Sequence, residues 1–127
     1  MKQEIDPLTD KTILVVEDDV VSGKLLKEIL HGLGYKTNMV KLGLEAIIYI
    51  KTKPNPNLVF MDIKLPDIDG IALTQDLLKL NPNLIVVAQT AYTYQGIEDQ
   101  CYAAGMKGFL SKPIKSKDIK RIIDTLL

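Results

Sequence analysis

The 127-residue sequence predicts an α/β fold: a five-stranded parallel sheet, doubly wound, with strand order 2-1-3-4-5. Three observations predict it. Five short apolar runs begin about two dozen residues apart. A helical pattern follows each run, so the order is β α β α β α β α β α. The chain is also far too short for a closed eight-stranded barrel, which takes roughly 250 residues.

The first run, Thr12–Val16, is almost wholly apolar, as a strand buried on both faces requires. The next helix spans Val21–Leu33, with Leu25, Leu26, Ile29, Leu30 and Leu33 on one stripe and Gly34 as its stop. Run two, Lys36–Val40, is mixed and reads as an edge strand. Leu44–Lys51 carries Ala46, Ile47 and Ile50 at helical spacing before Pro54-Asn55-Pro56 breaks the chain. Run three is Leu58–Met61. Ile71–Leu80 then presents Leu73, Leu77 and Leu78, and ends at Asn81-Pro82. Run four is Leu84–Ala88, followed by Gln95–Ala104 with Ile97, Cys101 and Ala104 in phase and Gly105 closing it. Run five, Gly108–Leu110, precedes a last helix in which Ile119, Ile122, Ile123 and Leu126 repeat, with Ser116 as the expected cap.

Composition narrows the function. Sixteen basic and sixteen acidic side chains cancel, so net charge gives no sign of a nucleic-acid partner. Cys101 is the only cysteine and His31 the only histidine, which leaves little material for a disulfide, a zinc site or a Ser/His/Asp triad. Cys101 and His31 read as a core residue and a helix-surface residue. No apolar run approaches the ~18 residues of a membrane span. The first eleven residues carry charges of both signs and no apolar block, so no signal peptide is expected.

In open α/β sheets ligands bind beyond the carboxyl ends of the strands, at the switch point between strands one and three. Glu17-Asp18-Asp19 follows strand one, Asp62 strand three, Thr90 strand four and Lys112-Pro113 strand five. Taken singly, each has an ordinary reading as a helix cap, a turn residue or a solvated lysine. Convergence changes that. Crowded carboxylates repel, and a divalent cation relieves them. Two or three oxygen ligands plus waters suit Mg2+. A lysine and a threonine hydroxyl opposite them suit a phosphoryl group. With no Cys or Ser expected in that ring, a carboxylate is left as the nucleophile.

Four segments, ILVVEDD (13–19), LVFMDIKLPDIDG (58–70), QTA (89–91) and AAGMKGFLSKP (103–113), occur in order. Together they resemble the response-regulator receiver domain of bacterial two-component signalling. The resemblance covers residues 12–127 and leaves 1–11 as a lead or linker. It implies a flavodoxin-like receiver fold. Asp62 would accept a phosphoryl group from a phosphohistidine donor. Glu17, Asp18, Asp62 and the backbone carbonyl of Lys64 would hold Mg2+ (or Mn2+). Thr90 and Lys112 would hold the phosphoryl oxygens, helped by backbone amides at Ile63, Lys64 and Ala91. Thr90 and Phe109 would form the switch, and the Lys112–Pro113 bond would be cis, aiming the lysine inward. Lys64 and Tyr92, each two past a site residue, would tune the lifetime of the phosphorylated state. Glu17 stands where many members have Asp, and Phe109 where Tyr is commoner. Tyr92 and Tyr94 are candidates for the missing polar handle.

The resemblance further implies a cytoplasmic protein whose partner is a histidine kinase or a histidine phosphotransfer protein, with no direct nucleic-acid or membrane contact. Val20, Val21 and Ile114 are candidates for docking that partner. The helix four–strand five–helix five face would carry the output and a homodimer. The domain alone would not be an enzyme beyond its own phosphorylation and dephosphorylation. The chain ends about where such a fold ends, so no DNA-binding domain is expected in it. A single-domain regulator and the receiver of a hybrid histidine kinase both fit; TAYTYQG and SKPI resemble the latter. Two other functions compete. A Mg2+-dependent phosphohydrolase with an Asp nucleophile usually carries an acid two residues on, where this chain has Lys64. A flavin or nucleotide module needs a Gly- or Ser-rich loop after strand one, where this chain has acids.

Overall fold

The computed structural model describes residues 10–127, so most of the expected lead (1–11) lies outside the described residues. Five strands and five helices alternate as expected. The strands are β1 (Thr12–Val16), β2 (Lys36–Val40), β3 (Leu58–Asp62), β4 (Val86–Thr90) and β5 (Gly108–Ser111). The helices are α1 (Val20–Gly32), α2 (Gly43–Thr52), α3 (Gly70–Leu80), α4 (Ile97–Ala103) and α5 (Ser116–Leu126). All four strand pairings are parallel, in the order β2-β1-β3-β4-β5. The mixed strand β2 lies at an edge, where three of its five residues are exposed.

Side-chain alternation along the strands splits the core in two. Ile13, Val15, Phe60 and Val87 face α1 and α5, meeting Leu26, Leu30, Ile119 and Ile123. Leu14, Val16, Met61 and Ala88 face the other helices, meeting Ala46, Leu73, Ile97 and Cys101. Each fully buried Leu or Ile contributes about 1.5–3 kcal/mol of burial free energy. Cys101 is completely buried, and burial pushes its thiol up to about 11, which fits a packing residue.

Several boundaries differ from expectation by one or two residues, and three of the differences have a visible local setting. Run four enters the sheet two residues late: Asn83 N–H donates to the Asn81 side chain and Leu84 N–H to the Asn81 carbonyl. That turn holds Leu84 outside the strand, and β4 continues instead through the polar pair Gln89-Thr90. The fourth helix starts at Ile97 rather than Gln95, because Gly96 takes φ 90° immediately before it. Ser116 is the first helical residue of α5, and the capping position belongs to Lys115, whose side chain makes no capping bond.

Gly70 lets α3 begin directly under the end of β3. A Cβ there would sit 2.1 Å from the Asp62 carbonyl oxygen, and Gly70 N–H donates to the Ile63 carbonyl at 2.7 Å. Any larger residue would push apart the strand end that carries Asp62.

Candidate functional site

The carboxyl edge of the sheet brings Glu17, Asp18 and Asp62 together. One carboxylate oxygen from each lies within 4.8 Å of the others. Glu17 and Asp62 are buried, at 1% and 6% exposure, while Asp18 is exposed. Burial of two acids side by side is costly unless a cation compensates. Lys112 supplies part of that charge: its Nζ hydrogen-bonds the Glu17 Oε1 and lies 3.4 Å from Asp62 Oδ2. The Lys112–Pro113 bond is cis, as expected.

The electrostatics follow. Burial, then the neighbouring Asp62 carboxylate, pushes the Glu17 carboxyl up to about 7, against the opposing pull of Lys112. Burial draws the Lys112 ammonium down, but Glu17 and Asp62 together outweigh it and hold it above the ordinary lysine value. Lys112 contacts two of the three carboxylates, which leaves the cluster short of positive charge. The donor set therefore fits a hard divalent cation, which takes oxygen ligands.

Local structure holds these groups in place. Asp19 caps α1, accepting from Ser22 N–H at 3.0 Å and Ser22 Oγ–H at 2.6 Å, while its own N–H donates to Glu17 Oε2 at 3.1 Å. Lys64 N–H donates to Asp62 Oδ1 at 3.2 Å. The Thr90 hydroxyl is buried and turned toward its own loop. It accepts from Tyr92 N–H at 2.9 Å and donates to the Tyr92 carbonyl at 3.3 Å, and it makes no bond to Asp62. Lys112 N–H donates to the Thr90 carbonyl at 2.8 Å, tying the ends of β4 and β5. Phe109 is half-buried in β5, opposite Ala88 in register.

Lys64 and Tyr92 meet at the mouth of the site. The Lys64 ammonium sits 4.1 Å from the Tyr92 ring centroid, and Tyr94 packs edge-on to Tyr92 at 6.0 Å between centroids. A pocket lined by Ile63, Leu65, Asp69 and these three side chains opens there. Tyr94 also donates its hydroxyl to Gln100 on α4 at 3.3 Å, so the two tyrosines link the site loop to that helix. Ala91 is exposed in the same loop, and Ile63 is buried behind Asp62. Among the expected docking residues, Val20 and Val21 are exposed, and Ile114 is half-buried beside Val21, Leu25 and Pro113. His31 lies exposed in the last turn of α1.

Three features escaped sequence reasoning. Ser111 lies opposite Thr90 in the β4–β5 register, exposed and unbonded to Asp62. Asp67 carries a bond to a distant helix, and Gln89 is a buried amide beside Asp62 in register. The turn-rich PDIDG string hides Asp67, and an amide in an apolar run was the only signal for Gln89.

Comparison with known proteins places the chain among close structural kin. Residues 13–124 match the family model described as the response regulator receiver domain. The polar-differentiation response regulator DivK of Brucella ovis is 31% identical over 118 residues, covering 91% of this chain and 93% of its own. The receiver domain of the sensor histidine kinase PA1611 of Pseudomonas aeruginosa, solved with a magnesium ion in its active-site cleft, is 30% identical. It superposes with a TM-score of 0.82, covering 91% of this chain and 96% of its own. The response regulator TrrA of Thermotoga maritima, solved with Mg2+ and BeF, is 29% identical with a TM-score of 0.83, covering 92% and 99%.

Proposed function

The chain belongs to the response regulator receiver domain family, and from that premise we propose that it is a phosphoacceptor switch or relay with Asp62 as the acceptor. The observation that carries the reading is the buried Asp62 carboxylate, grouped with Glu17 and Asp18 on one side and Lys112 on the other. An oxygen of Asp62 forms the new P–O bond as the donor's phosphohistidine N–P bond breaks. Glu17, Asp18, Asp62 and the Lys64 carbonyl hold Mg2+, which when bound neutralises charge on the phosphoryl oxygens. Lys112 exchanges its carboxylate contacts for the phosphoryl group, where the amides of Ile63, Lys64 and Ala91 add donors. PA1611 and TrrA, each solved with magnesium, support the metal assignment.

The Thr90 hydroxyl links this event to the surface. Its two bonds to Tyr92 hold the β4–α4 loop in the resting state. Turning toward a phosphoryl oxygen breaks them, and Phe109 moves into the space Thr90 leaves. The α4–β5–α5 face repacks in response. The donor is a histidine kinase or histidine phosphotransfer protein in the cytoplasm, docking on Val20, Val21, Leu25 and Ile114. No described helix is long and apolar enough to cross a membrane. PA1611, a receiver within a sensor histidine kinase, supports a hybrid kinase as one setting for this domain. The phosphohydrolase alternative gains no support: the side chain two past Asp62 is Lys64, engaged with Tyr92.

The test is labelling by acetyl phosphate with Mg2+. Wild type is expected to form an acid-stable, base-labile phosphoprotein, and Asp62→Asn to form none while keeping its circular dichroism. Undiminished labelling of the mutant moves the acceptor elsewhere.

A further inference from the structure

Gln89 is 1% exposed, and its Nε2 is the one buried side-chain polar atom among the described residues without a hydrogen-bond partner. A buried donor left unpaired costs free energy, so its position is informative. Gln89 pairs with Asp62 of β3 and with Leu110 of β5 in parallel register. It stands two past Val87, and Asp62 two past Phe60, both of which face α1 and α5. Alternation therefore puts the amide and the carboxylate on the same sheet face. Neighbouring strands lie about 4.8 Å apart, a gap that a glutamine side chain spans.

Asp62 has room for another donor. Its contacts are long, 3.2 Å from Lys64 N–H and 3.4 Å from Lys112 Nζ, and each carboxylate oxygen accepts more than one hydrogen bond. Lys112 is also shared with Glu17. An unused donor thus stands beside an under-satisfied acceptor.

We propose that Gln89 is a positioning residue for phosphoryl acceptance, its amide N–H donating to the Asp62 carboxylate when Lys112 leaves it for the incoming phosphoryl group. The inference rests on the phosphoacceptor reading above. The amide keeps its proton throughout; its part is to hold the carboxylate in the line of attack. A position that serves only packing would be filled equally well by a side chain of similar volume without the amide.

The experiment compares wild type with Gln89→Met, and in parallel Gln89→Leu, in acetyl phosphate labelling at saturating Mg2+. Removing the unpaired donor is expected to leave the melting temperature unchanged or raised. The maximum labelling rate is expected to fall about tenfold, with the half-saturating acetyl phosphate concentration within about twofold of wild type. That split reports orientation of the acceptor, which a packing defect does not produce. A labelled wild type, with variants whose rates stay within about twofold of it, overturns the inference and leaves the phosphoacceptor reading standing. A rate loss that tracks a lower melting temperature also overturns it. A wild type that takes no label overturns both.

Discussion

Asp67 caps a helix whose first residue, Gly43, lies 24 positions earlier. Its Oδ1 accepts the Gly43 N–H at 2.8 Å, and its Oδ2 accepts the Leu44 N–H at 3.0 Å. Leu42, at the capping position itself, offers no side-chain oxygen, although Glu45 reaches back to the Lys41 and Leu42 N–H groups. The loop after β3 therefore fastens α2 across the mouth of the fold. Gly43 permits the approach, since a Cβ there would meet the Ile68 side chain at 2.0 Å.

Asp67→Ala is expected to lower the melting temperature, and the loss is expected to depend on pH. The Gly43 and Leu44 N–H groups hold the Asp67 carboxyl below its ordinary value of 3.8. A depressed acid contributes its full stability above that ordinary value and loses it as pH falls through the lower folded value. Thermal melts across pH 2–7 should show a constant gap between wild type and mutant near neutrality, closing only on the acid side. A gap that stays constant into strong acid contradicts the charged cap.

Metal binding is expected to appear as stability. Glu17, Asp18 and Asp62 crowd together, and the Lys112 ammonium contacts only Glu17 and Asp62, so millimolar Mg2+ should raise the melting temperature by mass action. At a hundredfold excess over the dissociation constant the gain approaches ~2.7 kcal/mol. Asp18→Ala should shrink the effect, and Asp18→Asn should also stabilise the metal-free protein by relieving repulsion. Melting that ignores Mg2+ in wild type speaks against the site.

Partner docking is separable from chemistry. Val21 is 76% exposed at the start of α1, next to Leu25 and Ile114. Val21→Asp is expected to slow transfer from a phosphorylated histidine phosphotransfer domain about tenfold, the cost of one lost apolar contact plus a desolvated charge. Labelling by acetyl phosphate should be unchanged. Equal slowing with both donors means that the pocket, not the docking face, has been damaged.

The Lys64–Tyr92 contact is expected to set the lifetime of the aspartyl phosphate. Hydrolysis needs a water in line with the P–O bond, and this pair stands at the mouth through which it enters. Tyr92→Ala should speed decay about tenfold, only ~1.4 kcal/mol of barrier. Lys64→Ala should have a smaller effect in the same direction, and the double mutant should show coupling of about 0.5–1 kcal/mol, the range of an exposed cation–π pair. Decay rates within about twofold of wild type in both single mutants rule the gate out.

Much of this protein is legible in one dimension. Thr12–Val16 and Leu58–Met61 are read as buried strands because both faces of a central parallel strand must be apolar. Topological rules then bring Glu17, Asp18, Asp62, Thr90 and Lys112 to one edge before any coordinate is known. Less legible was β4, where the polar Gln89-Thr90 pair ends a strand that hydrophobicity alone stops at Ala88. Function asks for polar atoms at that end, and they erase the local signal.

The sequence by itself determined which elements form and which of their ends meet, because periodicity and chain connectivity are local or topological properties. Only the tertiary structure decided which atom serves which. Lys112 pairs with Glu17 across 95 residues, Lys64 lies on Tyr92, Asp67 caps α2 and Gln89 stands unpaired beside Asp62. Hydrogen bonds and ion pairs act over a few ångströms, and loop paths and rotamers settle such distances only after the helices have packed on the sheet.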